Sequence, residues 1–128
     1  MGDTWLFVYG TLRPNHGGTV ARRLAREATL AGSASVDGIL YRIADYPGLV
    51  PGGNAKVVGD LYRLSDPVPT LAWLDDYEEC SPAFPQPWEF RRALIPVVTR
   101  QGVVDAWTYL YARNVATFER IGGGDFLA

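Results

Sequence analysis

Apolar residues fall along this chain in short blocks, and the spacing within each block says which element it builds. Trp5–Tyr9 (WLFVY) is a compact apolar run closed by Gly10. Its length and its aromatic and β-branched content predict a buried strand. A loop, Gly10–Gly18, follows. Val20, Ala21, Leu24, Ala25 and Ala28 then share one arc of a helical wheel, with Arg22, Arg23 and Arg26 opposite. That pattern predicts a surface helix over Val20–Ala28, with Thr19 as its cap.

Leu30–Ile43 contains alternating stretches such as Val36–Tyr41 and reads as a strand. Two turn clusters follow, Asp45–Gly48 and Pro51–Asn54. Lys56–Leu64 is the next predicted strand. Ser65-Asp66-Pro67 marks a helix start, and Val68–Glu79 is the helix. Cys80–Pro87 holds three prolines and is a loop. Trp88–Thr99 and Val103–Ala112 are predicted strands joined as a hairpin around Arg100-Gln101-Gly102. The order β-α-β-β-α-β-β, with no internal repeat and no linker, predicts an α+β fold in a single domain over 1–128. Its core lies at about 5–112, and Gly122–Gly124 reads as part of a flexible C-terminal tail.

Composition narrows the chemistry. The 128 residues carry a net charge of −2 and no strongly basic block, so neither nucleic acid nor an anionic membrane is an expected partner. No apolar stretch is long enough to span a bilayer. The opening MGDTWLFVYG lacks the basic and apolar regions of a signal peptide. With Cys80 the only cysteine, a cytoplasmic setting is the expectation. His16 is the only histidine, which leaves too few ligands for a His/Cys zinc site. A Ser-His-Asp triad would need His16, and there is no G-x-S-x-G elbow. Nucleotide-cradling glycine motifs are absent as well. Cofactor-free acid/base chemistry by a carboxylate is what survives.

One carboxylate stands out. On the wheel of Leu71–Glu79, Asp75, Asp76 and Glu79 fall on the polar side, and Glu78 falls between Leu74 and Leu71. A carboxylate facing an apolar interior must be paired, hydrogen-bonded or protonated, and desolvation would raise its pKa toward the range useful for proton transfer. Geometry alone leaves a second reading open, in which Glu78 sits at a frayed helix end and reaches solvent.

Several segments, in order along the chain, resemble the gamma-glutamylcyclotransferase-like family. Phe7-Val8-Tyr9-Gly10-Thr11-Leu12-Arg13-Pro14 is similar to its opening Tyr-Gly-[ST]-Leu strand and loop, and Tyr46-Pro47-Gly48-Leu49-Val50 to its middle turn. Gly59-Asp60-Leu61-Tyr62 resembles its Gly-Glu-Leu-Tyr strand, Leu74-Asp75-Asp76-Tyr77-Glu78 its Leu-Asp-x-x-Glu helix, and Ala106–Tyr111 its final aromatic strand. The resemblance implies a small mixed, barrel-like curved sheet with two flanking helices and a pocket at one end. It implies release of 5-oxoproline from a gamma-glutamyl amine or amino acid by attack of the substrate's own α-amine, with no cofactor and no metal. Glu78 matches the family's general acid/base. Tyr9, Gly10, Thr11 and Leu12 match its substrate-binding loop, and the resemblance points to Tyr109 as a pocket wall. Phe90 stands where family members often carry Tyr, and Asn15 where many have Gly.

Two rival functions remain on the sequence. The same fold could serve as a non-catalytic small-molecule-binding module. Cys80 could act as a nucleophile, with His16 the only available base. Trp107, Tyr109 and Tyr111 alternate along one strand face, a pattern that suits a core as well as a site. Arg13 reads as a surface loop residue in preference to a ligand for a substrate carboxylate.

Overall fold

The computed structural model describes residues 2–128, so Met1 lies outside the described part. β1 (Trp5–Val8) runs through the middle of the molecule. It pairs antiparallel with β3 (Pro47–Leu64) and parallel with β5 (Gly102–Tyr111). A strand with partners on both edges and core on both faces has no solvent side, so an unbroken apolar run fits it. Leu6 and Val8 enter one core cluster with Leu24, Tyr62 and Leu74. Phe7 and Tyr9 enter a second with Leu40, Leu49 and Val57.

The six strands lie in the order β3-β1-β5-β4-β2-β6, where β2 is Ala28–Arg42, β4 is Phe90–Thr99 and β6 is Glu119–Arg120. β2 also returns to pair with β3 along most of its length. β2 and β4 are bridged only at Ser35 and Val98. The result is a mixed, strongly curved sheet flanked by two helices, short of a complete barrel.

Three local expectations need correction. Pro51–Asn54 does not end a strand. Asp37 pairs with Lys56 and Gly38 with Pro51, so Gly52–Ala55 loop out as a bulge within β3. α1 spans Thr19–Glu27 with Gly18 at its N-cap, so Thr19 lies inside the helix and supplies no side-chain cap. The C-terminal segment is anchored. The Ile121 N–H donates to the Leu40 carbonyl at 2.7 Å and the Val58 N–H to the Gly124 carbonyl at 2.8 Å. Gly124 has φ +68, and a Cβ there would fall 2.0 Å from the Lys56 carbonyl oxygen. The glycine that suggested a loose end is what lets the segment lie against β3. Phe126 packs beside the second core cluster.

α1 keeps Arg22, Arg23 and Arg26 outward as its wheel predicts and buries Ala21 and Leu24, but Ala25, placed on the apolar arc, is exposed and Ala28 already belongs to β2. It is tied to α2 (Pro67–Tyr77) through Glu27. That carboxylate accepts from Trp73 Nε1 at 2.8 Å and Thr70 Oγ1 at 2.9 Å, while Arg23 lies 4.0 Å over the Trp73 ring.

Candidate active site

α2 ends earlier than its wheel implies, and the way it ends builds the site. The Glu78 N–H donates to the Leu74 carbonyl, making Glu78 the C-cap. The Glu79 N–H donates to Asp76 and the Cys80 N–H to Asp75, the paired bonds of a Schellman turn. The residue after the cap must then be left-handed, and Glu79 takes φ +57 without being glycine. That costs about 1 kcal/mol. Glu79 is therefore off the helix. It lines the same cavity as Glu78, where the wheel had placed it on the polar side.

That cavity, of about 400 Å³, draws its wall from five stretches of chain and from His16. Tyr9–Leu12 come from the loop after β1, Asp45–Pro47 from the β2–β3 turn and Tyr77–Glu79 from the end of α2. Glu89 immediately precedes β4, Phe90 opens it, and Tyr109 comes from β5. Each residue singled out from the sequence, Glu78, Tyr9, Gly10, Thr11, Leu12 and Tyr109, lines it. His16, Asp45, Tyr46, Glu79 and Glu89 line it too; the sequence reading had left His16 only the role of a base for Cys80 and had given the other four no place in a site.

The loop after β1 is held tightly. The Arg13 N–H donates to the Gly10 carbonyl at 3.1 Å. A Cβ on Gly10 would meet Pro47 Cγ at 2.7 Å, so only glycine allows this approach of the loop to the β2–β3 turn. Among the described residues, no protein acceptor pairs with the Gly10, Thr11 or Leu12 amide. Consecutive free N–H groups at a turn form an anion nest. Arg13 is not a surface residue. It is buried, its Nε 2.8 Å from Asp60 and its Nη1 2.7 Å from Asp125 of the C-terminal segment. With both carboxylates satisfying it, Arg13 braces the loop.

The two named tyrosines contribute walls rather than hydroxyls. The Tyr9 hydroxyl donates to the Tyr109 carbonyl and accepts from the Leu49 N–H. Burial, and then the charge of Glu78, push its pKa further up, so it stays neutral. The Tyr109 hydroxyl donates to Asp75 at 2.7 Å. Asp75 also receives Arg92 through Nε at 2.8 Å and a second guanidinium nitrogen at 3.2 Å. Arg92 stacks 4.4 Å from the Trp107 ring. The wheel had put Asp75 on the polar side, whereas its carboxylate pins α2 to the β4–β5 hairpin.

Glu78 has no such partners. Its carboxyl accepts no hydrogen bond from the described residues, and no Arg or Lys lines the cavity. Burial, then Glu89, then Glu79 raise its pKa from 4.5 to about 7. A carboxyl poised there takes and returns a proton at neutral pH. Cys80 is placed differently. It is buried off the cavity wall, and burial, Asp75 and Glu78 push its thiol up to about 11. A thiol so held is protonated at neutral pH and a weak nucleophile.

Comparison with known proteins agrees with this architecture. Residues 6–128 match the family model for gamma-glutamyl cyclotransferase, AIG2-like. The chain belongs to that family. The solution structure of YtfP from Escherichia coli is 37% identical, with 97% of this chain covering 96% of that one and a TM-score of 0.68. YkqA from Bacillus subtilis is 22% identical with a TM-score of 0.73; 98% of this chain matches, but it spans only 40% of that protein. An AIG2-like protein from Mus musculus is 22% identical, with 91% of this chain covering 82% of it and a TM-score of 0.70. The last two likenesses speak to the fold. No curated protein matches in sequence. Among the described residues no helix is long and apolar enough to cross a membrane.

Proposed function

We propose that this protein is a gamma-glutamyl cyclotransferase that releases 5-oxoproline from a gamma-glutamyl amine or amino acid, with Glu78 as its general acid/base. The observation that carries the reading is an uncompensated carboxyl of near-neutral pKa in a cavity that also presents the free amides of Gly10–Leu12. The amides receive an anionic group of the substrate, and the walls from Phe90 and Tyr109 fold its chain back on itself. The Glu78 carboxylate takes a proton from the α-ammonium. The freed amine attacks the γ-carbonyl carbon, forming the ring C–N bond. Glu78 returns the proton to the leaving nitrogen as the old C–N bond breaks, and the second proton shed by the ring nitrogen departs on the released amine, giving 5-oxoproline and an ammonium ion. The nucleophile belongs to the substrate, so orientation contributes much of the rate.

A panel of gamma-glutamyl amines and gamma-glutamyl amino acids, assayed for 5-oxoproline, tests the reading and identifies the leaving group. Tight binding of these compounds without release of 5-oxoproline would leave a binding module and reject the enzyme.

A further inference from the structure

Glu89 is a second carboxylate in the cavity for which the proton transfers above have no use. It sits between Trp88 and Phe90 at the start of β4, where its own carbonyl accepts the Ala112 N–H at 2.7 Å. Its side chain is held as well. The Tyr46 hydroxyl donates to Glu89 Oε2 at 2.6 Å, which fixes the carboxylate and leaves Oε1 without a protein partner among the described residues. Tyr46 adjoins Pro47, and Pro47 is the residue against which Gly10 packs. The pinned carboxylate and the anion nest therefore line one cavity and are linked through neighbouring residues of the β2–β3 turn.

That juxtaposition fits one chemical group. A γ-glutamyl substrate carries its α-carboxylate and α-ammonium on the same carbon, so a site for one requires the other to lie within a few ångströms. An anion nest beside a fixed carboxylate is complementary to such a zwitterionic head. Among the described residues no Arg or Lys lines the cavity; Arg113, close enough to act on Tyr46 and Tyr111, donates to the Pro87 carbonyl at 3.3 Å and forms no ion pair with Glu89. Given the cyclotransferase reading above, we infer that Glu89, pinned by Tyr46, receives the substrate's α-ammonium while the Gly10–Leu12 amides receive its α-carboxylate. Glu89 is thus the residue that selects substrates with a free α-amino group, and Glu78 is the residue that moves the proton.

The arrangement has a second consequence. Glu89 and Glu79 both bring negative charge to Glu78 and hold its proton on. Asp45 and His16 also face the cavity. An ammonium seated on Glu89 offsets part of that charge, so substrate binding eases ionisation of Glu78 as the base is needed.

The test uses the Glu78→Gln protein, in which turnover is expected to be slower by about 10²-fold or more, and calorimetry at neutral pH. The probes are γ-glutamylethylamide and its desamino counterpart, glutaric acid monoethylamide. Glu78→Gln with Glu89 intact should prefer the amine-bearing ligand by about tenfold or more, the size expected for a charge-assisted hydrogen bond. Adding Glu89→Gln should bring the two affinities to within about twofold, by weakening the amine-bearing ligand alone. Glu89→Asp should restore part of the preference, and Tyr46→Phe should reduce it by less than Glu89→Gln does. In the protein with Glu78 intact, Glu89→Gln should move the acid limb of the kcat/KM profile to lower pH than in the wild type. A preference unchanged by Glu89→Gln, or an equal loss of both ligands, overturns the assignment while leaving the cyclotransferase reading in place. If neither ligand binds and the wild-type chain releases no 5-oxoproline, the cyclotransferase reading fails and the ammonium site fails with it.

Discussion

Two carboxylates near the end of α2, three residues apart, meet opposite fates. Asp75 is surrounded by donors: Arg92 approaches through two nitrogens and the Tyr109 hydroxyl adds a third bond. Glu78 faces a cavity in which the other charged lining groups include Asp45, Glu79 and Glu89. The helix presents both, but the hairpin of β4 and β5 brings its cation to only one of them. A compensated carboxylate fastens elements together. An uncompensated one keeps its proton to about pH 7 and is available for chemistry.

The sharpest way to break this contrast is Glu78→Gln. It keeps the shape and removes the transferable proton, so turnover should fall by about 10²-fold or more. Binding of a gamma-glutamyl ligand should change far less, because the loop amides and walls remain. Wild-type turnover in this variant would falsify the assignment of the base.

The same substitution should stabilise the fold, and only at higher pH. A carboxyl whose pKa rises from 4.5 to about 7 on folding binds more protons in the native than in the unfolded state between those values. Stability therefore falls as pH rises through that window. The displacement corresponds to about 3 kcal/mol at its limit, and partial solvent access reduces it. Glu78→Gln should gain about 2 kcal/mol over wild type at pH 8 and almost nothing at pH 4. Urea unfolding at the two pH values measures this; an equal gain at both would show that Glu78 ionises normally.

Asp75→Asn should act in the opposite sense. It leaves Arg92 without its counter-charge, at a site where both side chains keep partial exposure of 20–25%. A loss of about 1–2 kcal/mol is expected, smaller than for a fully buried pair. Turnover should drop less than for Glu78→Gln. If Asp75→Asn instead abolishes turnover with stability unchanged, the division of labour between the two carboxylates is wrong.

The smallest effect is at Glu79. Glu79→Gly relieves the left-handed φ of +57 and should stabilise by about 0.5–1 kcal/mol, whereas Glu79→Ala should not. A thermal melt of the two variants at the same pH separates backbone strain from loss of charge.

The sequence by itself determined a good deal. WLFVY read as a buried strand, because a short apolar run rich in aromatic and β-branched residues suits one. The period of α1 put its arginines outward, and the turn at Arg100-Gln101-Gly102 joined the last two long strands as a hairpin. Glu78 was marked because one acid fell among leucines. What the sequence could not determine depended on residues far apart in the chain. The helix wheel assigns faces but does not say what lies opposite each one, so Asp75 and Glu79 looked alike on its polar side. Only β4 and β5 supplied Arg92 and Tyr109 to Asp75, and only the Schellman turn swung Glu79 into the cavity. Arg13 looked like a surface loop residue because Asp60 and Asp125 are distant in sequence. The glycines at 122–124 looked flexible because a single chain reading cannot see Lys56 packed against Gly124. Local pattern reports what a residue avoids or prefers, and the tertiary structure decides which partner it meets. Charge compensation is a property of partners, so the surroundings of Asp75, Glu78 and Glu89 are set in three dimensions, not along the chain.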